Sequence, residues 1–125
     1  MKIDFKKITP LSKEFSFERE VEGGKISFSG TFKKGGAGIA LIDGHLKGEI
    51  ELICDLTGEP FIYHVDEEVA IRATDGIRKG DDPDYDTIEF FDGYVDFDEI
   101  FYSEIEAIRQ GYHAKPDAIF RDISY

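Results

Sequence analysis

One cysteine and three histidines are the side chains best suited to nucleophilic or metal chemistry in this sequence: Cys54, His45, His64 and His113. A thiolate nucleophile needs a base beside it, and a zinc site needs several ligands converging on one point. The spacing of the histidines from Cys54 and from one another matches neither pattern. Cys54 is therefore expected as a small apolar core residue at a strand end, and His64 as a solvent-side strand residue. The run Asp81-Asp82-Pro83-Asp84-Tyr85-Asp86 carries the alternating carboxylates of a calcium loop. With Asp82, Asp84 and Asp86 as the first three ligands, Thr87 falls where such a loop needs Gly, and Gly93 where it needs Glu. Neighbouring carboxylates such as Glu67-Glu68 and Asp98-Glu99 could pair as acid and base, but 27 Asp and Glu produce such pairs by chance. Gly35-Gly36-Ala37-Gly38 lacks the Lys-Ser/Thr that completes a phosphate loop. The expectation is a non-enzymatic protein without metal or cofactor.

Charge distribution is more informative. The formal net charge is −12. Residues 1–79 are near balance, with 12 basic and 14 acidic side chains, whereas residues 80–108 hold eleven acidic side chains and no Lys or Arg. Nucleic acid is bound by neutralising phosphates, so this window should repel RNA and DNA and suit a basic protein partner. The candidate partner surface is Asp81, Asp82, Asp84, Asp86, Glu89, Asp92, Asp98 and Glu99. Direct RNA contact would have to rely on Lys6, Lys7, Lys33, Lys34 and Lys47, with Phe32 or Tyr63 as stacking platforms.

The elements that must position these groups follow from periodicity. Lys2 to Ile8 alternates Ile3 and Phe5 with charged neighbours, and Lys25 to Phe32 continues the pattern with Ile26 and Phe28. Ile39–Ile42 and Leu46–Cys54 flank Asp43-Gly44, a two-residue hairpin signal. Leu46, Gly48, Ile50, Leu52 and Cys54 share one face. Phe61 to Ala73 is a long strand with Phe61, Tyr63, Val65, Val69, Ile71 and Ala73 in one parity, and Gly35–Gly38 a mobile turn or bulge. After a loop over 74–85, Thr87 to Phe91 forms a short strand ending at an Asp92-Gly93 turn. Asp96 with Glu99 starts a helix over 97–110, whose apolar stripe is Phe97, Ile100, Phe101, Ile105, Ile108 and Tyr112, and Gly111 stops it. Gly111 to Tyr125 is expected to pack on the sheet through Ile119, Phe120 and Ile123. Alternation with one solvated face predicts antiparallel pairing. The fold class is α+β, an antiparallel β-sheet or partly open barrel with one main helix at about 97–110.

The chain has 125 residues, the size of one domain, and 1–125 is expected to form a single one. Its longest uncharged apolar stretch, 35–42, is far short of a membrane span, and one cysteine excludes an internal disulfide. A cytoplasmic protein with no membrane contact is expected.

At residues 48–61, GEIELICDLTGEPF, the chain resembles the YceD-like family, the large ribosomal RNA subunit accumulation proteins. That family has a C-x-R-C-L-x-P-F motif between two strands. Cys54 matches the first cysteine, and Glu59, Pro60 and Phe61 match the tail, with Asp55 and Gly58 between them. The likeness extends over about residues 44–116 in the order of elements. Leu56 stands where the family has arginine and Thr57 where it has a second cysteine, so zinc binding does not carry over. The resemblance implies an accessory role in large-subunit ribosomal RNA synthesis, processing or stability. Two rival expectations are a direct RNA binder and a small-ligand or catalytic β-barrel.

Overall fold

The computed structural model describes residues 1–76, 80 and 82–114. The elements follow in the order β1 (Lys2–Asp4), a 3-10 turn (Phe5–Lys7), β2 (Lys13–Val21), β3 (Gly24–Gly36), β4 (Ile39–Ile53), β5 (Pro60–Asp75), β6 (Asp86–Phe90), β7 (Tyr94–Asp96) and α1 (Phe97–Gln110). Five strands form one sheet in the order β2-β3-β4-β5-β6, and β1 pairs with β7 in a separate two-stranded ribbon. The class is α+β, with an open sheet and α1 packed across it.

Three long strands dominate. Their inward residues keep one parity: Ile26, Phe28 and Phe32 on β3, Ala40, Ile42, Leu46, Ile50 and Leu52 on β4, and Val65, Val69, Ile71 and Ala73 on β5 are all buried. The opposite parity is mostly polar, with Lys47, Glu49, Glu51, His64 and Glu68 among it, although Ile53 and Ile62 also face out with more than half of their surface exposed. α1 closes the inner face with Phe97, Ile100, Phe101, Ile105 and Ile108, the stripe the periodicity predicts. Its Phe97 ring sits 4.8 Å from Phe15 and 5.5 Å from Phe32, in edge-on geometries that favour aromatic pairs. The Asp96 carboxylate caps the helix by accepting from the backbone N–H groups of Asp98 and Glu99. Tyr112 lies beyond the helix end and is exposed.

Several expectations need correction. Asp43-Gly44 is not a turn, because β4 runs through it and Gly44 opposes Gly30 on β3. A two-residue hairpin there would have reversed the parity between Ile42 and Leu46, yet both point inward. Gly44 is required for space: a Cβ on it would lie 2.4 Å from Cε1 of Phe28. The β3–β4 connection is instead the glycine run, with a bulge between Lys34 and Gly36 followed by a turn at Ala37-Gly38. The strand expected over Lys2–Ile8 stops at Asp4. Strand β2, with Phe15, Phe17 and Val21 alternating, was not foreseen from the sequence. The sheet is mixed, since β6 pairs parallel to β5, Ile71 opposite Asp86 and Asp75 opposite Phe90. The packing expected of Ile119, Phe120 and Ile123 falls outside the described residues.

Because Gly44 makes room for a ring, Gly44→Ala should cost about 1–3 kcal/mol in urea unfolding. Most of that loss should disappear in a Phe28→Leu background, and an undiminished loss would point to backbone strain instead.

Candidate interaction surface

Strands β6 and β7 diverge from the turn Phe91-Asp92-Gly93, and the first two turns of α1 lie alongside. Gly93 adopts a φ of 81°, open to glycine, and the Asp92 carboxylate accepts from the Tyr94 backbone N–H at 3.1 Å. The ribbon of β1 and β7 fixes the other wall, with Lys2 opposite Asp96 and the Phe5 N–H donating to Gly93 O. Between these elements lies a groove of about 340 Å³ whose walls include Glu89, Asp92, Asp96 and Glu99. Its apolar lining is Ile88, Val95 and Ile100, and Lys2 is the one Lys or Arg among its described lining residues. Phe91 and Tyr94 stand at the groove with 74% and 45% of their surface exposed.

The acidic window does not form a single face. Glu89, Asp92 and Glu99 meet at the groove. Asp98, one residue before Glu99, turns the other way: it pairs with the amino terminus of Met1 and accepts from Arg19 Nε at 2.9 Å. That removes Asp98 from the candidate surface. Asp82 closes a local turn by accepting from the Asp84 N–H at 2.9 Å, and both lie near Tyr85. The Tyr85 hydroxyl donates to Asp43 at 3.1 Å, and its pKa is raised by burial, by that bond and by the surrounding Asp43, Asp82 and Asp84 charges. Asp86 sits within the field of Glu104 and Glu67 on the inner side of the sheet edge. Asp81 lies outside the described residues.

The motif residues are elsewhere. Cys54 is buried, 1% exposed, just after β4. Its N–H donates to Glu59 O and its carbonyl accepts from the Gly58 N–H, both at 2.8 Å, closing a tight connection that Gly58 enters at φ 75°. Thr57 takes the Glu59 N–H on its hydroxyl at 3.3 Å. Asp55 holds the segment after the helix, since its N–H donates to His113 O and its carboxylate accepts from the His113 N–H, each at 2.7 Å. Pro60 and Phe61 begin β5.

No histidine pairs with Cys54 in these contacts. His45 meets Asp66, His64 lies 3.3 Å from Glu49 on the outer face, and His113 Nε2 donates to Ile108 O. Among the described residues no three His, Cys, Asp or Glu side chains gather as metal ligands. No described helix is long and apolar enough to cross a membrane.

No family model, curated protein or solved structure matches the chain. The groove is thus described by its own residues. Its aromatic rim was not foreseen from the sequence, although Phe90-Phe91-Asp92-Gly93-Tyr94 places three rings around one turn.

Glu104, on the inward flank of α1, has its pKa raised first by burial and then by Asp86 and Glu67. A carboxyl whose folded-state pKa is raised binds more protons folded than unfolded, so it lowers stability as pH rises above its ordinary value of 4.5. Glu104→Gln should therefore melt higher than the parent at neutral pH. The gap should close as pH falls below that value, in paired thermal melts across the range.

Proposed function

We propose that this chain is a non-enzymatic accessory factor in large-subunit ribosomal RNA synthesis, processing or stability, acting by binding a basic protein partner. The resemblance at residues 48–61 supplies the cellular context, and the groove supplies the means. The observation that carries the binding half is the meeting of Glu89, Asp92 and Glu99 around an apolar lining. Exposed charge of one sign speeds encounter with a partner of the other, and the apolar lining gives the contact something to bury.

The rival RNA-binding reading is weaker on these residues. Phe32 is buried and cannot stack on a base, and Tyr63 is half-buried with His113 edge-on at 4.6 Å. Lys47 is six residues along β4 from Leu41, the partner of Lys33, or about 20 Å at strand rise. It lies opposite Asp66 in the ladder. Lys47 thus stands apart from Lys33 and Lys34, although the Lys34 N–H donates to Thr9 O, two residues after Lys7. The reading as a ligand-binding or catalytic barrel is also less favoured, because Cys54 faces the interior while His64 faces solvent.

The test is titration of the purified chain against individual large-subunit ribosomal proteins and against bare ribosomal RNA. Raising salt from about 0.1 M to about 1 M shortens screening from about 10 Å to about 3 Å. At least one basic protein should bind at the lower salt and release at the higher, while bare RNA stays unbound. Tight RNA binding with no protein bound at either salt would overturn the proposal.

A further inference from the structure

The groove has a chemistry more specific than negative charge. Resting on the protein-binding reading above, we propose that it receives an arginine from an extended basic segment of the partner. The guanidinium lies on the aromatic rim of Phe91 and Tyr94 and pairs with Asp92 and Glu99.

The first ground is the exposure of the rings. Phe15, Phe28, Phe32, Phe97 and Phe101 are all buried, whereas Phe91 leaves 74% of its surface in water at the mouth of the groove. A ring face and a carboxylate side by side suit a planar cation better than a compact one. The guanidinium stacks on the ring while its N–H fork meets the carboxylate, and an ammonium cannot do both as well.

The second ground lies on the other side of the same helix end. There the chain holds an arginine of its own: Arg19 places its guanidinium carbon 4.5 Å above the Phe17 ring and donates from Nε to Asp98 at 2.9 Å. Asp98 and Glu99 are consecutive in the first turn of α1. The groove side repeats the aromatic and carboxylate parts of that arrangement.

Two magnitudes agree. A helix N-terminus presents about half a positive charge, which opposes a cation. The Asp96 cap takes up part of that field, and Asp92 and Glu99 exceed the remainder. The volume of about 340 Å³, at the low end for ligand cavities, admits a guanidinium and its stem.

The experiment measures binding of the whole chain to three synthetic ten-residue peptides by fluorescence anisotropy. One carries arginines, one lysines at the same positions, and one glutamines. The arginine peptide should bind about two- to fivefold tighter than the lysine peptide, the scale of one exposed cation–π contact, and the glutamine peptide should not bind. Asp92→Asn with Glu99→Gln keeps the side-chain acceptor that Asp92 offers the Tyr94 N–H, and should weaken the arginine peptide about five- to tenfold. Phe91→Ala should erase the preference for arginine, with circular dichroism showing the fold retained in both variants. Equal binding of arginine and lysine peptides, or an unchanged affinity in the Asn/Gln variant, would overturn the proposal. If a large-subunit protein still bound the parent and the Asn/Gln variant equally, the groove assignment alone would fail. If no basic protein bound the parent at low salt, the reading beneath it would fail as well.

Discussion

Among the described residues, one helix has to cover a sheet much longer than itself. β4 and β5 hold 15 and 16 residues, about 50 Å of strand, while the 14 residues of α1 span about 21 Å. The mismatch is met by bringing aromatic mass to the contact and by pressing strands close where rings need room. Phe28 lies under Phe15 at 4.9 Å, and Phe17 reaches Phe101 at 5.8 Å. Gly30 and Gly44 oppose each other beneath this layer, where a Cβ on Gly30 would sit 2.0 Å from Asp43 O. Each buried Phe contributes about 1.5–3 kcal/mol relative to leaving it in water, so the cluster sets the position of α1 more firmly than any polar contact.

Fixing the buried stripe of α1 fixes where its carboxylates can go. With Phe97, Ile100, Phe101, Ile105 and Ile108 inward, Glu99 lines the groove, Asp98 faces Arg19 across the other flank, and Glu104 is drawn partly into the protein beside Asp86 and Glu67. Only the first of these placements leaves charge at a surface that also offers apolar contact. The second is internal compensation. The third opposes folding at neutral pH, because the same burial that lets Ile105 and Ile108 pack also strips water from Glu104. Beneath the preceding loop, Arg72 is 8% exposed and donates from Nη2 to Gly80 O at 2.8 Å, setting a buried positive charge under the acidic stretch.

The helix was legible because three independent signals coincide on it: the stripe at 3.6-residue spacing, the Asp96 cap and the Gly111 stop. At Asp43-Gly44 the local turn preference yields to an inward parity that never breaks from Ala40 to Leu52. The alternation of β2 is interrupted in the sequence, because Arg19 occupies the inward-parity position between Phe17 and Val21 with its guanidinium over the Phe17 ring. The parallel pairing of β6 has no local signal in the sequence, since residues 76–85 carry no helical apolar spacing. The charge window was visible as a count, and its division was not. Whether adjacent carboxylates such as Asp98 and Glu99 meet or part depends on the flank of the helix each occupies and on what packs there.

The groove and the turn between β4 and β5 sit at opposite ends of α1. Asp96, Glu99, Ile100 and Ser103 line the groove at the helix start, while Asp55 binds His113 just beyond the helix end. The turn from Cys54 to Glu59 thus acts on the helix as a brace. It ties the end of the β4–β5 hairpin to the segment that follows α1, and His113 adds a contact to Ile108 O and an edge-on ring at Tyr63. A brace needs a closed turn and a carboxylate at Asp55. Thr57 helps close the turn by taking the Glu59 N–H on its hydroxyl, and Gly58 supplies the left-handed backbone. The contacts that steady the far end of α1 therefore also help hold the helix start, where Glu99 lines the groove.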